Sequence, residues 1–115
     1  MNETYQALRL ILKQHEAKLD VVKDLDSEYT LNSRITEKGK PIFFGMVKAS
    51  KTKVAFHLMP VYCHPDLLET ISDDLRKRMQ GKSCFNFSKV DKALFAELQL
   101  LTNQGFEVFQ SDGRI

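Results

Sequence analysis

The sequence predicts an α+β domain: a two-layer sandwich with helices on one face of a mainly antiparallel sheet of roughly four to six strands. Three observations carry that expectation. Apolar residues recur at helical spacing near both ends of the chain, and between them, over residues 28–59, the period switches to two. Short turns marked by glycine and charge separate the alternating runs, which gives neighbouring antiparallel strands. The element order reads α-β-β-β-α-β-α over residues 1–109 as one domain, with 110–115 as a polar C-terminal tail.

The first helix is expected over residues 3–18. Leu8, Ile11, Leu12, His15 and Leu19 share one face, with Arg9, Lys13, Glu16 and Lys18 turned away. His15 sits at the edge of that stripe, as a half-buried core histidine does. Leu19 to Val22 reads as a helix fraying into a β-connection. Glu16, Asp20 and Asp24 recur every four residues, but they share a face only if the helix runs that far.

Tyr29, Leu31, Ser33 and Ile35 then alternate with polar residues as a half-buried strand. Glu37-Lys38-Gly39-Lys40 is a turn, and Pro41 opens a second strand through Ser50, where a first-residue proline costs no ladder bond. Gly45, set among aromatics, marks a bulge or a close approach by another backbone. After the Lys51-Thr52 reversal, Val54, Phe56 and Leu58 face one way, and Ala55, His57 and Met59 the other. Pro60 closes this strand, and Val61-Tyr62-Cys63 reads as a short edge continuation.

A second helix is expected over 66–79, entered through His64-Pro65-Asp66, with Leu68, Ile71, Leu75 and Met79 as its buried stripe. Arg76, Lys77 and Arg78 suit its carbonyl end, and Gly81 its left-handed exit. Phe85 and Phe87 point inward from a strand over 83–88, with Asn86 outward. Ser88 to Asp91 has capping-box spacing, and Leu94, Leu98 and Leu101 line a last helix that is expected to stop at Gly105. Phe106 to Phe109 then forms a small strand.

The chain has 115 residues, 43% hydrophobic and 28% charged, which is ordinary globular composition, and no apolar run approaches a membrane span. The net charge of +2 is too small to imply nucleic acid by itself, although residues 34–53 hold six basic residues against Glu37 alone. Cys63 and Cys84 match no zinc spacing, and Met1-Asn2-Glu3 leads straight into a charged amphipathic segment without a signal peptide. Two free thiols in a reducing cytoplasm follow.

Residues that carry chemistry are sparse. His57, Cys63 and His64 are transition-metal ligand types, but Cys63 and His64 are neighbours that point apart in an extended chain, and Pro60 breaks the register from His57. A cysteine nucleophile needs an oriented base, and nothing here orients one. Gly81-Lys82-Ser83 superficially resembles a phosphate loop, but it runs from helix to strand, the reverse of what phosphate cradling needs. No catalytic constellation emerges, which points away from an enzyme. If the second sheet face stays open, Lys48, His57, Met59 and Asn86 lie on it, with Lys82 beside them as a further ligand-binding candidate.

Three stretches support a resemblance: Gly39-Lys40-Pro41-Ile42-Phe43-Phe44-Gly45-Met46-Val47, Lys53 to Pro60, and Gly81-Lys82-Ser83-Cys84-Phe85-Asn86-Phe87. Over roughly residues 34–109 the chain resembles the YdhG-like family of small bacterial domains of unknown function. The resemblance implies a frataxin-like architecture and, through one branch of the family, intracellular iron chaperoning by exposed carboxylates of the first helix and strand. Glu16, Asp20, Asp24, Asp26 and Glu28 occupy that region here, interleaved with Lys13, Lys18 and Lys23, which oppose a dication.

The leading functional expectation is therefore a non-enzymatic cytoplasmic module for a small ligand or protein partner. Weak iron binding through Asp20 and Asp24 comes second. Single-stranded nucleic acid on the sheet face comes last, because sheet aromatics at this density usually form core. A homodimer that buries an exposed aromatic sheet face belongs to the first reading.

Overall fold

A computed structural model describes residues 2–115. It shows the expected α+β architecture: a five-stranded, wholly antiparallel sheet in the order β1-β2-β3-β4-β5, with helices packed against it. The chain runs from α1 (Asn2–Lys13) through a 3-10 turn (Glu16–Lys18) into β1 (Asp20–Asp24), β2 (Glu28–Glu37), β3 (Lys40–Ala49) and β4 (Val54–Leu58). It continues through α2 (Met59–Cys63), a 3-10 segment (Pro65–Thr70) and α3 (Asp73–Arg76) to β5 (Cys84–Phe87) and α4 (Lys92–Ser111). Among the described residues, no helix is long and apolar enough to cross a membrane.

Alternation places one side of every inner strand in the core. Tyr29 and Leu31 from β2, Phe44 and Val47 from β3, and Val54, Phe56 and Leu58 from β4 are each fully buried. Phe85 and Phe87 of β5 join them, and Leu8 and Leu12 of α1 with Leu98 and Phe109 of α4 close the layer from the helix side. Each such side chain contributes about 1.5–3 kcal/mol by leaving water. Gly45 faces α1: a methyl group there would lie 2.9 Å from Leu12 Cδ2, and the β2–β3 register shifts beside it. The glycine thus serves both a bulge and a close approach.

The two sheet edges differ. Beyond β5, Asn86 N donates to Arg78 O at 2.8 Å and Gln80 N to Cys84 O at 2.9 Å, so residues 78–80 cap that edge. At the other edge every residue of β1 is exposed, and charge together with a register shift between Val21 and Lys23 guards it.

Several local expectations need correction. Residues 20–24, read as a β-connection, form a full edge strand that the expected element order lacked, and, as that reading implied, the four-residue carboxylate spacing lies on no helix face. Met59 leaves the sheet, because Pro60 at the first turn starts α2; Val61 is buried there rather than on an edge. The helix expected over 66–79 is broken at Ile71, whose extended backbone (φ −80°, ψ 155°) precedes a fresh start capped by Ser72. Gly81 (φ +81°) consequently sits in the bend before β5, not at a helix exit. Asp91 is itself the N-cap of α4, its Oδ1 accepting from Leu94 N at 3.1 Å.

The last helix does not stop at Gly105. It continues to Ser111, so Phe106 to Phe109 form helix rather than strand. Residues 110–115, expected as a tail, begin inside α4 and then fold back on the domain. Arg114 N donates to Phe109 O at 2.8 Å, the Ser33 hydroxyl donates to Arg114 O, and Ile115 packs against the core.

Candidate functional site

The folded-back terminus forms one wall of a cavity of about 530 Å³ at the end of the sheet. The opposite wall is the β2–β3 hairpin. Its two-residue turn places both Lys38 (φ 55°) and Gly39 (φ 81°) in the left-handed region, as a type I′ hairpin requires. Ile42, Phe43 and Met59 supply apolar lining, while Lys38, Lys40 and Arg114 bring three cations to a lining with one carboxylate, Glu37, and with Asp112 behind Arg114. That composition suits an anion with an apolar body.

Arg114 is the most strongly positioned of these groups. Its Nη1 donates to Cys63 Sγ at 2.9 Å, its guanidinium carbon lies 5.4 Å from the centroid of the Phe109 ring, and its Nε is 3.6 Å from Asp112 Oδ2. The same carboxylate oxygen lies 2.6 Å from His64 Nε2. Cys63 and His64 thus both belong to the frame that holds Arg114, but His64 Nε2 engages Asp112 rather than the thiol. The arrangement offers a fixed cation and no cysteine–histidine dyad.

The uncovered sheet face carries a second set. In one row Thr30 opposes Met46, Met46 opposes His57, and His57 opposes Cys84; in the next, Glu28 opposes Lys48, Lys48 opposes Ala55, and Ala55 opposes Asn86. Burial lowers the His57 pKa and raises that of Cys84, the latter opposed by nearby Lys53. Asn86 Nδ2 donates to Gln80 Oε1 at 2.7 Å, so that amide is already engaged with the edge cap.

Of the ligand-binding candidates, Lys48, His57 and Asn86 share this face. Met59 instead lines the Arg114 cavity, and Lys82 lines a separate cavity of about 590 Å³ with Tyr62, Leu68 and Met79. Arg114 escaped notice because its partners come from α2, α4 and β2, which no local pattern links. Met46 and Cys84 carried a usable signal: each stands two residues from a residue already placed on that face, Lys48 and Asn86.

The metal candidates lie apart. Asp20 Oδ1 accepts from Arg34 Nε at 3.3 Å, and both oxygens of Asp24 accept from Arg9 Nη2 at 2.9 Å. Glu16 accepts from the Tyr29 hydroxyl at 2.7 Å. This contact, with Lys13, holds its pKa down, while burial followed by Glu16 pushes that of Tyr29 up. His57 lies on the sheet, whereas Cys63 and His64 lie at the end of α2. Among the described residues, no three of His, Cys, Asp and Glu converge to hold a metal. No protein-family model, curated protein or solved structure matches the chain.

Proposed function

We propose that this domain is a non-enzymatic binding module whose ligand is a small organic anion with an apolar body, held against Arg114. The observation that supports the reading is the pre-positioned guanidinium. Cys63, Phe109 and Asp112 restrain it at the wall of a cavity lined by Ile42, Phe43 and Met59. A restrained cation loses less side-chain freedom on binding, and arginine pairs with carboxylate through two parallel hydrogen bonds. Lys38 and Lys40 add attraction at the hairpin side. The reading includes a reducing cytoplasmic setting, because Cys63 contacts Arg114 as a free thiol.

Titration with aromatic carboxylates such as 1-naphthoate, followed by amide chemical shifts, tests the proposal. Shifts should cluster on residues 38–43, Cys63 and Arg114, weaken with added salt, and be absent with the neutral 1-naphthamide. Arg114→Gln should weaken binding at least about tenfold, which corresponds to about 1.4 kcal/mol. Equal shifts from the neutral amide, or undiminished binding by Arg114→Gln, would refute an anion site.

A further inference from the structure

We propose that Met46, His57 and Cys84 form a site for a soft monovalent cation, Cu(I), on the uncovered face of the sheet. The inference rests on strand register and stands independently of the anion cavity. His57 on β4 is the direct cross-strand neighbour of Met46 on β3 and of Cys84 on β5. Directly opposed side chains on one face of an antiparallel pair have Cβ atoms about 4.5–5.5 Å apart. One thioether, one imidazole and one thiol therefore stand side by side, with the imidazole in the middle.

The donor set selects the cation. Thioether and thiolate sulfur favour Cu(I), and imidazole accepts it as a third ligand, whereas hard cations want oxygen. The row offers no carboxylate. Glu28, the acid of the adjoining row, is engaged by Lys23 Nζ at 3.2 Å. Competing partners are weak: among the described residues the Cys84 thiol hydrogen-bonds only to Asn86 Oδ1, at 3.7 Å, and the His57 ring makes no hydrogen bond. All three side chains are half-buried, and none belongs to the core cluster, so they can reorient over the sheet without disturbing packing. The flexible thioether of Met46 supplies the remaining reach.

Loading is a ligand exchange without redox change. The ligands that deliver Cu(I) depart, the Cys84 thiol releases its proton to solvent as its sulfur forms the Cu–S bond, and Met46 sulfur and an imidazole nitrogen of His57 complete the shell. Cys63 is a contrast of degree: Lys53 also lies near Cys84, but its ammonium donates to Gln80 Oε1 at 3.3 Å rather than to the thiol. Arg114 Nη1 lies 2.9 Å from the Cys63 sulfur, and that fixed positive charge opposes a metal cation there.

The test is an anaerobic competition in which reduced protein withdraws Cu(I) from its bicinchoninate complex. The parent chain should bleach the chelator stoichiometrically, and Cys63→Ser should match it. Cys84→Ser and His57→Gln should each weaken affinity at least about tenfold, and Met46→Leu less, given that even supporting groups of metal sites contribute this much. At pH 7.5, circular dichroism and the thermal midpoint of each metal-free variant should match the parent, which separates ligand loss from misfolding. Failure of the parent to withdraw copper, retention of full affinity by Cys84→Ser, or loss of affinity in Cys63→Ser would each overturn the proposal.

Discussion

Gly105 and Pro60 meet where α4 crosses α2, so closely that a methyl group on Gly105 would lie 2.9 Å from Pro60 Cβ and 3.1 Å from its Cγ. Two effects oppose one another on Gly105→Ala. Helix propensity favours alanine by about 1 kcal/mol within a helix. Overpacking a close contact costs about 1–3 kcal/mol, and the proline ring cannot swing aside as a flexible side chain would. The steric effect should win, with a net loss of about 1 kcal/mol in urea unfolding. A Gly105→Ala protein more stable than its parent would show that α2 and α4 do not touch there.

Acid sensitivity should appear above the range where carboxylates titrate. His15 stacks on Phe106 with ring centroids 4.8 Å apart, and its Nε2 lies 2.9 Å from Asn103 Oδ1. Burial lowers its pKa, and the Asn103 contact opposes that only in part; burial alone lowers that of His57. Both folded values therefore lie below the unfolded value of about 6.5. The unfolded chain takes up protons first as pH falls through that value, so stability is full above it and declines below it. Unfolding free energy should be smaller at pH 5.5 than at pH 7.5, and His15→Gln and His57→Gln should each flatten the profile. Profiles as steep as the parent's in both variants would rule out these histidines as the cause.

The β2–β3–β4 meander was legible because period-two alternation is a local signal, and Tyr29, Leu31, Phe56 and Leu58 follow it into the core. β1 was legible only as a β-connection, since all five of its residues are exposed and an edge strand without a buried side shows no alternation. Gly105 suggested a helix stop because its sequence neighbours do not reveal Pro60. The stripe of Leu68, Ile71, Leu75 and Met79 all packs against the core, yet two short turns, the extended Ile71 between them and the bridge of Met79 to Phe85 present it as well as one long helix would. On the candidate site, the uncovered face could be read from alternation. Arg114 could not, because Cys63 and Ser33 reach it only through tertiary structure.

The break before α3 has an identifiable cause that can be removed. Ser72 Oγ accepts from Leu75 N at 3.1 Å as the helix cap and donates to Glu97 Oε2 at 2.7 Å, while Ser72 N donates to Glu97 Oε1 at 2.8 Å. One carboxylate of α4 thus fixes both the position of the cap and the orientation of its hydroxyl. Ser72→Ala removes the cap and one charge-assisted bond, for an expected loss of about 1–2 kcal/mol. Glu97→Ala removes both bonds from α4 but leaves the cap, and should cost less because the site is exposed. The two effects share a network, so the double variant should lose less than the sum, with a coupling of at least about 0.5 kcal/mol. Chemical denaturation of the four proteins closes the cycle. Strict additivity would mean that Glu97 does not hold Ser72 in solution, leaving the start of α3 to the cap alone.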